Sequence, residues 1–136
     1  MTNLLGRAKV AFVFPGQGSQ SLEMMKQLRH DFPFISDRFE IASEILEFDL
    51  WKLIQEGPVE TLNMTQNTQP ALLAASLATW DAWISLGGVK PQILAGHSFG
   101  EYTALVCAGS LDYRDAVALV AERGRLMQLA VPEGTG

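Results

Sequence analysis

The chain alternates short apolar runs with longer stretches in which apolar positions recur every three or four residues. The run Lys9–Phe14 is β-branched and aromatic, as buried strands are, and Ile93–Ala95 is a second, shorter apolar run. The stretches that follow each run have the repeat of amphipathic helices. This order predicts an α/β fold with parallel strands flanked by helices, in which two strands alone leave faces and edges of the sheet to be covered.

The same pattern predicts the helices between and after the two strands. They are expected at Ser21–Arg29, Phe34–Phe48, Leu50–Gln55 and Glu60–Met64, from about Thr68 to the Gly87-Gly88 pair, directly after Gly100, and from Asp112 to Ala130. In the longest helix, Asn67 or Thr68 is the expected N-cap, Pro70 lies in the first turn, and the tryptophans are core residues. Asp112 is the expected N-cap of the last helix.

Composition indicates one small domain with an acidic surface. Of the 136 residues, 48% are hydrophobic and 18% charged, which is enough to bury a core. The net charge of −5, without a Lys/Arg run, argues against nucleic-acid binding, and the apolar runs are too short for a membrane span or signal peptide. The single cysteine, Cys107, excludes an internal disulfide and fits the cytoplasm, and we expect it to be buried and inert. His30 and His97 form no Cys/His cluster, so no metal site is expected.

The first candidate for chemistry is the segment Gly96-His97-Ser98-Phe99-Gly100, between the second strand and a helix. Strand, G-x-S-x-G and helix is the layout of a nucleophile elbow, a turn so tight that larger side chains at Gly96 and Gly100 would clash. Ser98 would then sit in a strained backbone conformation with its hydroxyl exposed, and the N–H of Phe99 could donate to an oxyanion. A glycine-rich turn in which the serine only caps the helix is the alternative.

The first strand leads into Pro15-Gly16-Gln17-Gly18, a turn that lets the backbone approach a neighbouring group. A dinucleotide fingerprint is a weak alternative here, because Ser21 stands where the third glycine would be. The simpler interpretation is a turn in which Ser19 or Ser21 caps the next helix.

Arg123 stands out in the last helix, because it falls on the stripe of apolar positions that includes Ala116, Val120 and Met127. A lone buried cation is costly unless it is paired. Arg123 therefore either lies at the edge of the stripe and reaches water, or awaits an anionic ligand.

Ser98 also needs a base, which the two histidines do not supply. His97 adjoins Ser98 and should point to the opposite side, whereas His30 lies in a surface pattern. In α/β-hydrolases the histidine follows the serine in the chain, and no histidine follows Ser98. We therefore expect the base to come from residues outside this chain.

Four blocks together carry a family resemblance. FVFPGQGSQ, TQPALL, AGHSFGEYTALVCAG and ERGRLMQ, spanning Phe12–Gln20, Thr68–Leu73, Ala95–Gly109 and Glu122–Gln128, resemble the malonyl-CoA:acyl-carrier-protein transacylases of type II fatty acid synthesis. The resemblance implies that residues 1–136 are the N-terminal part of an α/β-hydrolase-like large subdomain, with the ferredoxin-like small subdomain largely or wholly outside this chain. It also implies malonyl-CoA and acyl carrier protein as partners, no tightly bound cofactor, and a monomer at full length.

The resemblance assigns a role to each matching position. Ser98 would carry the malonyl ester before transfer to the pantetheine thiol of the carrier, and the backbone N–H groups of Gln17 and Phe99 would form the oxyanion hole. Arg123 would bind the malonyl carboxylate, and Gln69, with Gln17, would line the substrate site. His97 belongs to the motif without being the base.

Two further expectations follow from the resemblance. Phe99 replaces a leucine common among relatives, and its bulk could shape the acyl pocket. Acyl carrier proteins are acidic, so Arg114 and Arg125 are candidates for a docking patch.

Three rival interpretations remain. A serine esterase or lipase would share the elbow without requiring Arg123 at the site. An acyltransferase domain of a polyketide synthase would share all four blocks, although the start at Met1 favours a stand-alone enzyme. The third is that this piece is inactive by itself.

Overall fold

The structure, a computed structural model, describes residues 9–131, which form two strands and seven helices. The strands are β1 (Ala11–Phe14) and β2 (Ile93–Gly96). The helices are α1 (Lys26–Asp31), α2 (Ser36–Leu46), α3 (Leu50–Glu56), α4 (Val59–Asn63), α5 (Thr65–Ser85), α6 (Gly100–Cys107) and α7 (Tyr113–Ala130), with a 3₁₀ turn, Pro33–Ile35, before α2. The α/β class predicted from the pattern is confirmed.

The two strands pair in parallel, with Ala11 opposite Ile93 and Phe14 opposite Gly96. One face of this ribbon is covered, because Phe14 is buried and the ring of Phe12 packs on Trp80 and Trp83 of α5. The expectation that the first strand is buried is wrong for its opposite face, where Ala11 and Val13 are exposed, as are Ile93 and Ala95 of β2. Within residues 9–131, the helices cover only one side of the ribbon.

Helix α5 is the centre of the core. Its buried positions lie on all sides over the first half of the helix because α2, α4, α6 and α7 all pack against it. The fully buried side chains around it include Phe39 from α2, Leu62 from α4, Phe99 from the turn before α6, and Val117 and Val120 from α7. The tryptophans of α5 lie at the margin of this core, with Trp80 half-buried and Trp83 exposed over 38% of its surface, so they are less buried than expected.

The start of α5 differs from the sequence expectation. The helix begins at Thr65, because Asn67 and Thr68 donate their side-chain hydrogen bonds back to the carbonyls of Thr61 and Leu62 instead of capping the helix. The backbone N–H of Thr65 instead donates to the Gln128 side chain of α7 at 3.2 Å. A side chain more than sixty positions away in the chain therefore takes over a capping role that local sequence would give to its neighbours.

The start of α1 also differs from the position that the sequence pattern predicts. The helix begins at Lys26 and not at Ser21, because Glu23 and Met25 adopt positive φ angles of 61° and 69°. The Glu23 N–H donates to the carbonyl of Ile54 at 2.9 Å, which holds this turn against the end of α3. Neither Ser19 nor Ser21 caps the helix, since α1 has no side-chain cap and the Ser19 hydroxyl donates back to the Gly16 carbonyl at 3.0 Å.

A polar cluster links α2, α5 and α7 on the far side of the core. Arg38 makes two hydrogen bonds to Asp81, at 2.6 and 2.9 Å, and the Tyr113 hydroxyl donates to the Arg38 carbonyl. Cys107 lies half-buried near this pair, and burial raises the pKa of its thiol to about 12. At neutral pH the thiol is therefore protonated and poorly nucleophilic, as the sequence led us to expect.

Replacing Asp112 tests how α7 is capped. The Asp112 carboxylate accepts from the backbone N–H groups of Arg114 and Asp115, at 2.8 and 3.4 Å. We expect Asp112→Ala to lower the free energy of unfolding by about 1 kcal/mol, because the N-terminal N–H groups lose their acceptor. Asp112→Asn is the matched control and should retain most of the stability in urea unfolding. Equal losses in the two variants would contradict the capping role.

Candidate active site

The backbone reverses direction between β2 and α6 within three residues. Ser98 has φ of +55°, the left-handed region that a residue with a Cβ adopts only under strain. The His97 N–H donates to the Phe14 carbonyl at 3.0 Å, and the Gly100 N–H donates to the His97 carbonyl at 2.9 Å. Ser98 is exposed at this turn, immediately before the N-terminus of α6. The geometry is that of a nucleophile elbow, with Ser98 as the candidate nucleophile.

Two glycines allow this turn to close. A Cβ on Gly96 would lie 2.0 Å from the carbonyl carbon of Gly100, and a Cβ on Gly100 would lie 2.6 Å from the carbonyl oxygen of Phe14. Both distances are far below van der Waals contact, so any larger residue would push the strand end and the helix apart. The G-x-S-x-G spacing is therefore a steric requirement of this structure.

Phe99 is anchored in the core. Its side chain has no exposed surface and belongs to the apolar cluster around α5. Its ring therefore does not line the open side of Ser98, and the expectation that its bulk shapes an acyl pocket is wrong. Its backbone lies at the N-terminus of α6, where helical N–H groups have no intrahelical partner.

Four side chains from four separate segments form a series of hydrogen bonds that ends at Ser98. We call them the Ser98 cluster: Ser98, Arg123, Gln69 and Gln17. Arg123 Nη2 donates to Ser98 Oγ at 3.1 Å, and Arg123 Nη1 donates to Gln69 Oε1 at 3.0 Å. Gln69 Nε2 donates to Gln17 Oε1 at 3.5 Å, a long hydrogen bond, and Gln17 Nε2 donates to Thr65 Oγ1 at 3.3 Å. The structure thus brings together every residue that the sequence proposed for the substrate site.

Gln69 is the inner member of the cluster, with no exposed surface. A buried amide must have its hydrogen bonds satisfied, and here the oxygen accepts from Arg123 while the nitrogen donates to Gln17 and to Met127. The amide therefore fixes the guanidinium in one orientation, with its second nitrogen directed at Ser98.

Among the residues that the structure describes, no carboxylate lies within ion-pair distance of the Arg123 guanidinium. None of the ion pairs formed within residues 9–131 includes it, although it is only half-exposed. Its other hydrogen-bond partner is the sulfur of Met127, a weak acceptor at 3.2 Å. Of the two interpretations of Arg123 left open by the sequence, this environment favours the cation that awaits an anionic ligand.

The imidazole of His97 lies against Gly16 of the first turn. A Cβ on Gly16 would lie 2.5 Å from His97 Nδ1, so the imidazole packs against the turn that precedes Gln17. His30 lies on the exposed surface next to Asp31. No histidine within the described range hydrogen-bonds to Ser98, which leaves that hydroxyl without a base among these residues.

The sequence missed the part that Met127 plays. It was assigned to the apolar stripe of α7, but it is 39% exposed and its sulfur accepts from both Arg123 and Gln69. Its position four residues after Arg123 places the two side chains on one helix face, and this spacing is the signal that could have revealed the contact.

Other features of the described surface add little to the site. Arg114 is paired with Glu44, and Arg125 with Glu122, so neither candidate for a docking patch offers an unpaired charge. In the part of the chain that the structure describes, no group of three potential metal ligands occurs, and no helix is both long and apolar enough to cross a membrane.

Comparison with known proteins supplies the context of this site. The family model for the acyl transferase domain matches residues 11–136. A malonyl CoA-acyl carrier protein transacylase from Salmonella typhimurium is 56% identical over 126 residues, which is 93% of this chain and 41% of the relative. The chain therefore spans about two fifths of the length of the curated relatives it matches.

Solved structures give the same match. A crystal structure of an acyl carrier protein S-malonyltransferase from Vibrio cholerae superimposes with a TM-score of 0.90 at 56% identity, covering 94% of this chain and 42% of that one. A malonyl-transacylase in complex with a type II PKS acyl-carrier protein also gives 0.90 at 56% identity, covering 93% and 41%. The fold of residues 9–131 is thus similar to the N-terminal part of these proteins.

The strain at Ser98 predicts an unusual stability effect. Ser98→Gly removes the Cβ that disfavours φ of +55°, whereas Ser98→Ala keeps the Cβ and loses the same hydroxyl. We expect the glycine variant to be more stable than the alanine variant by about 1 kcal/mol in urea unfolding, after the entropy cost of glycine is included. Equal stability of the two variants, or a more stable alanine variant, would show that the turn is unstrained.

Proposed function

The chain belongs to the acyl transferase domain family, and from that premise we propose that the protein transfers a malonyl group from malonyl-CoA to the pantetheine thiol of an acyl carrier protein in fatty acid biosynthesis. The curated relatives that match this chain are named malonyl CoA-acyl carrier protein transacylases. The observation that carries the proposal is the contact between Arg123 and Ser98, which places a cation beside the candidate nucleophile.

This contact selects for a short acyl group that ends in a carboxylate. In a malonyl thioester, one methylene separates the carboxylate from the carbonyl under attack. Because Arg123 Nη2 lies 3.1 Å from Ser98 Oγ, a carboxylate held by the guanidinium brings that carbonyl next to the hydroxyl. The carboxylate would replace Ser98 Oγ as an acceptor of Arg123 and so free the hydroxyl for attack. An acetyl group has no such anchor.

The reaction then proceeds in two halves through a covalent intermediate. Ser98 Oγ attacks the thioester carbonyl as a base takes its proton, and the tetrahedral oxyanion accepts from the backbone N–H groups of Phe99 and Gln17. The carbon–sulfur bond breaks, CoA leaves as the thiol, and a malonyl-serine ester remains. The carrier's pantetheine thiol attacks this ester, forming the new thioester and returning the proton to Ser98.

The base is proposed to be a histidine outside this chain, in the part of the relatives that the chain does not cover. A serine without its base loses several orders of magnitude in rate. We therefore expect residues 1–136 to turn over negligibly when tested alone. Gln69 is proposed to keep Arg123 oriented, because its buried amide oxygen accepts from the guanidinium at 3.0 Å.

Intact-mass spectrometry after mixing with malonyl-CoA tests the covalent step. We expect a malonyl adduct on Ser98 when the segment that supplies the base is present, and none in a Ser98→Ala control. Hydrolysis without any adduct and without transfer to a thiol would favour the serine esterase. An adduct on another residue would refute Ser98 as the nucleophile. A polyketide carrier accepted in preference to a fatty-acid carrier would leave the chemistry intact and move the protein to polyketide synthesis.

Replacing Arg123 tests substrate selection. A charge-assisted carboxylate pair is worth roughly 1.5–3 kcal/mol, so Arg123→Ala should lower kcat/KM for malonyl transfer by about ten- to a hundredfold. Acetyl transfer should change much less, because it does not use the pair. Lys52→Ala, which removes an exposed cation from α3, controls for the loss of charge. Equal losses for malonyl and acetyl in Arg123→Ala would refute the role of the arginine.

A further inference from the structure

The sulfur of Met127 occupies a polar position beside the guanidinium of Arg123. Arg123 Nη1 lies 3.2 Å from Sδ, and Gln69 Nε2 lies 3.3 Å from it on another side. Both nitrogens donate to the thioether, which is among the weakest acceptors in proteins. The guanidinium and amide N–H groups therefore share one weak acceptor, the sulfur of Met127.

Met127 is also the most exposed sulfur-containing residue within residues 9–131. Its side chain is 39% exposed, whereas Met24, Met25 and Met64 are all half-buried. Cys107 is half-buried as well, and burial raises the pKa of its thiol to about 12, which leaves little thiolate to react with an oxidant. Oxidation of a thioether needs no deprotonation, so exposure decides which methionine reacts.

We propose that peroxide oxidises Met127 at its sulfur, and that the resulting sulfoxide hinders the binding of anionic ligands to Arg123. In this step a sulfur lone pair attacks one oxygen of hydrogen peroxide, a sulfur–oxygen bond forms, the oxygen–oxygen bond breaks and water leaves. Sulfur is oxidised and peroxide is reduced. The product carries a polar oxygen with partial negative charge in place of the weak acceptor.

The new oxygen would accept from the two donors that already face the sulfur. The flexible methionine side chain would have to rotate outward to place the sulfoxide oxygen between Arg123 and Gln69, because the two nitrogens lie only 3.2 and 3.3 Å from the sulfur. The guanidinium nitrogen that now has only the Gln69 oxygen and the sulfur as partners would gain a strong acceptor. An incoming carboxylate would then have to displace a bond to a charged donor, which costs about tenfold or more in affinity.

The consequence for malonyl transfer rests on the function proposed above, but the modification itself does not. The first experiment therefore avoids activity. The protein is treated with limiting hydrogen peroxide, and the oxidation of each methionine is followed by peptide mass mapping. The oxidised and untreated samples are then labelled with phenylglyoxal, a dicarbonyl that reacts with arginine, and labelling of Arg123 is compared with that of exposed Arg114.

We expect Met127 to oxidise before Met64, and labelling of Arg123 to slow several-fold after oxidation while labelling of Arg114 is unchanged. Met127→Leu should abolish the effect of peroxide on Arg123, whereas Met64→Leu should preserve it. Oxidation of Met127 no faster than that of Met64, or an unchanged or faster labelling of Arg123 after oxidation, would overturn the proposal.

The second experiment links the site to activity. Malonyl transfer is measured before and after peroxide in the presence of the segment that supplies the base. It should fall about tenfold or more through a higher KM, and methionine sulfoxide reductase should restore it. Acetyl transfer should fall less. If the untreated protein transfers no malonyl group even with the segment that supplies the base, the proposed function fails and the labelling result still decides the modification. If malonyl transfer occurs but is unchanged after complete oxidation of Met127, the sulfoxide does not hinder substrate binding and this part of the proposal is wrong.

Discussion

The close packing of α7 on the first turn of α5 is the constraint on which the site depends. Gly124 is buried at this crossing, and a Cβ there would lie 2.6 Å from backbone atoms of both Thr65 and Gln66. Gln128, one turn further along α7, accepts from the Thr65 N–H and fixes the register of the two helices. With the helices this close, Arg123 reaches both Gln69 on α5 and Ser98 beyond it.

The strain at Ser98 is supported from both sides of the turn. Phe99, the next residue, is fully buried in the core, so the turn cannot relax without extracting a large aromatic side chain from an apolar environment. On the other side, the backbone bond from His97 to Phe14 ties the turn to β1. The unfavourable φ of the serine is therefore held by burial and hydrogen bonding at its neighbours, which fixes the hydroxyl before any ligand arrives.

In the Ser98 cluster, a fully buried glutamine holds a charged guanidinium. A buried glutamine would ordinarily be satisfied by neutral partners, but here it holds a guanidinium for which the described residues provide no carboxylate. This arrangement keeps the cation oriented while leaving its charge available. The same openness exposes the adjacent sulfur of Met127, so the features that suit the site to an anion also make it sensitive to oxidation.

The sequence by itself determined the local features that depend on near neighbours. The alternation of apolar runs and helical repeats defined the α/β class, and Asp112 was identified as the cap of α7. The spacing of Gly96, Ser98 and Gly100 indicated the elbow, because a Cβ on Gly96 would clash with Gly100, only four residues further along the chain. The resemblance of four blocks also selected Gln17, Gln69 and Arg123, although it assigned roles without showing that they touch.

Only the tertiary structure decided which residues meet across the fold. The cap of α5 comes from Gln128 and not from Asn67 or Thr68, Phe99 faces the core and not a pocket, and Met127 contacts Arg123 instead of lying within the apolar stripe. One face of β1 is exposed, although its sequence is typical of a buried strand. In each case the outcome depends on which element packs against the residue, and that choice is made by contacts between positions far apart in the chain, which a local pattern does not record.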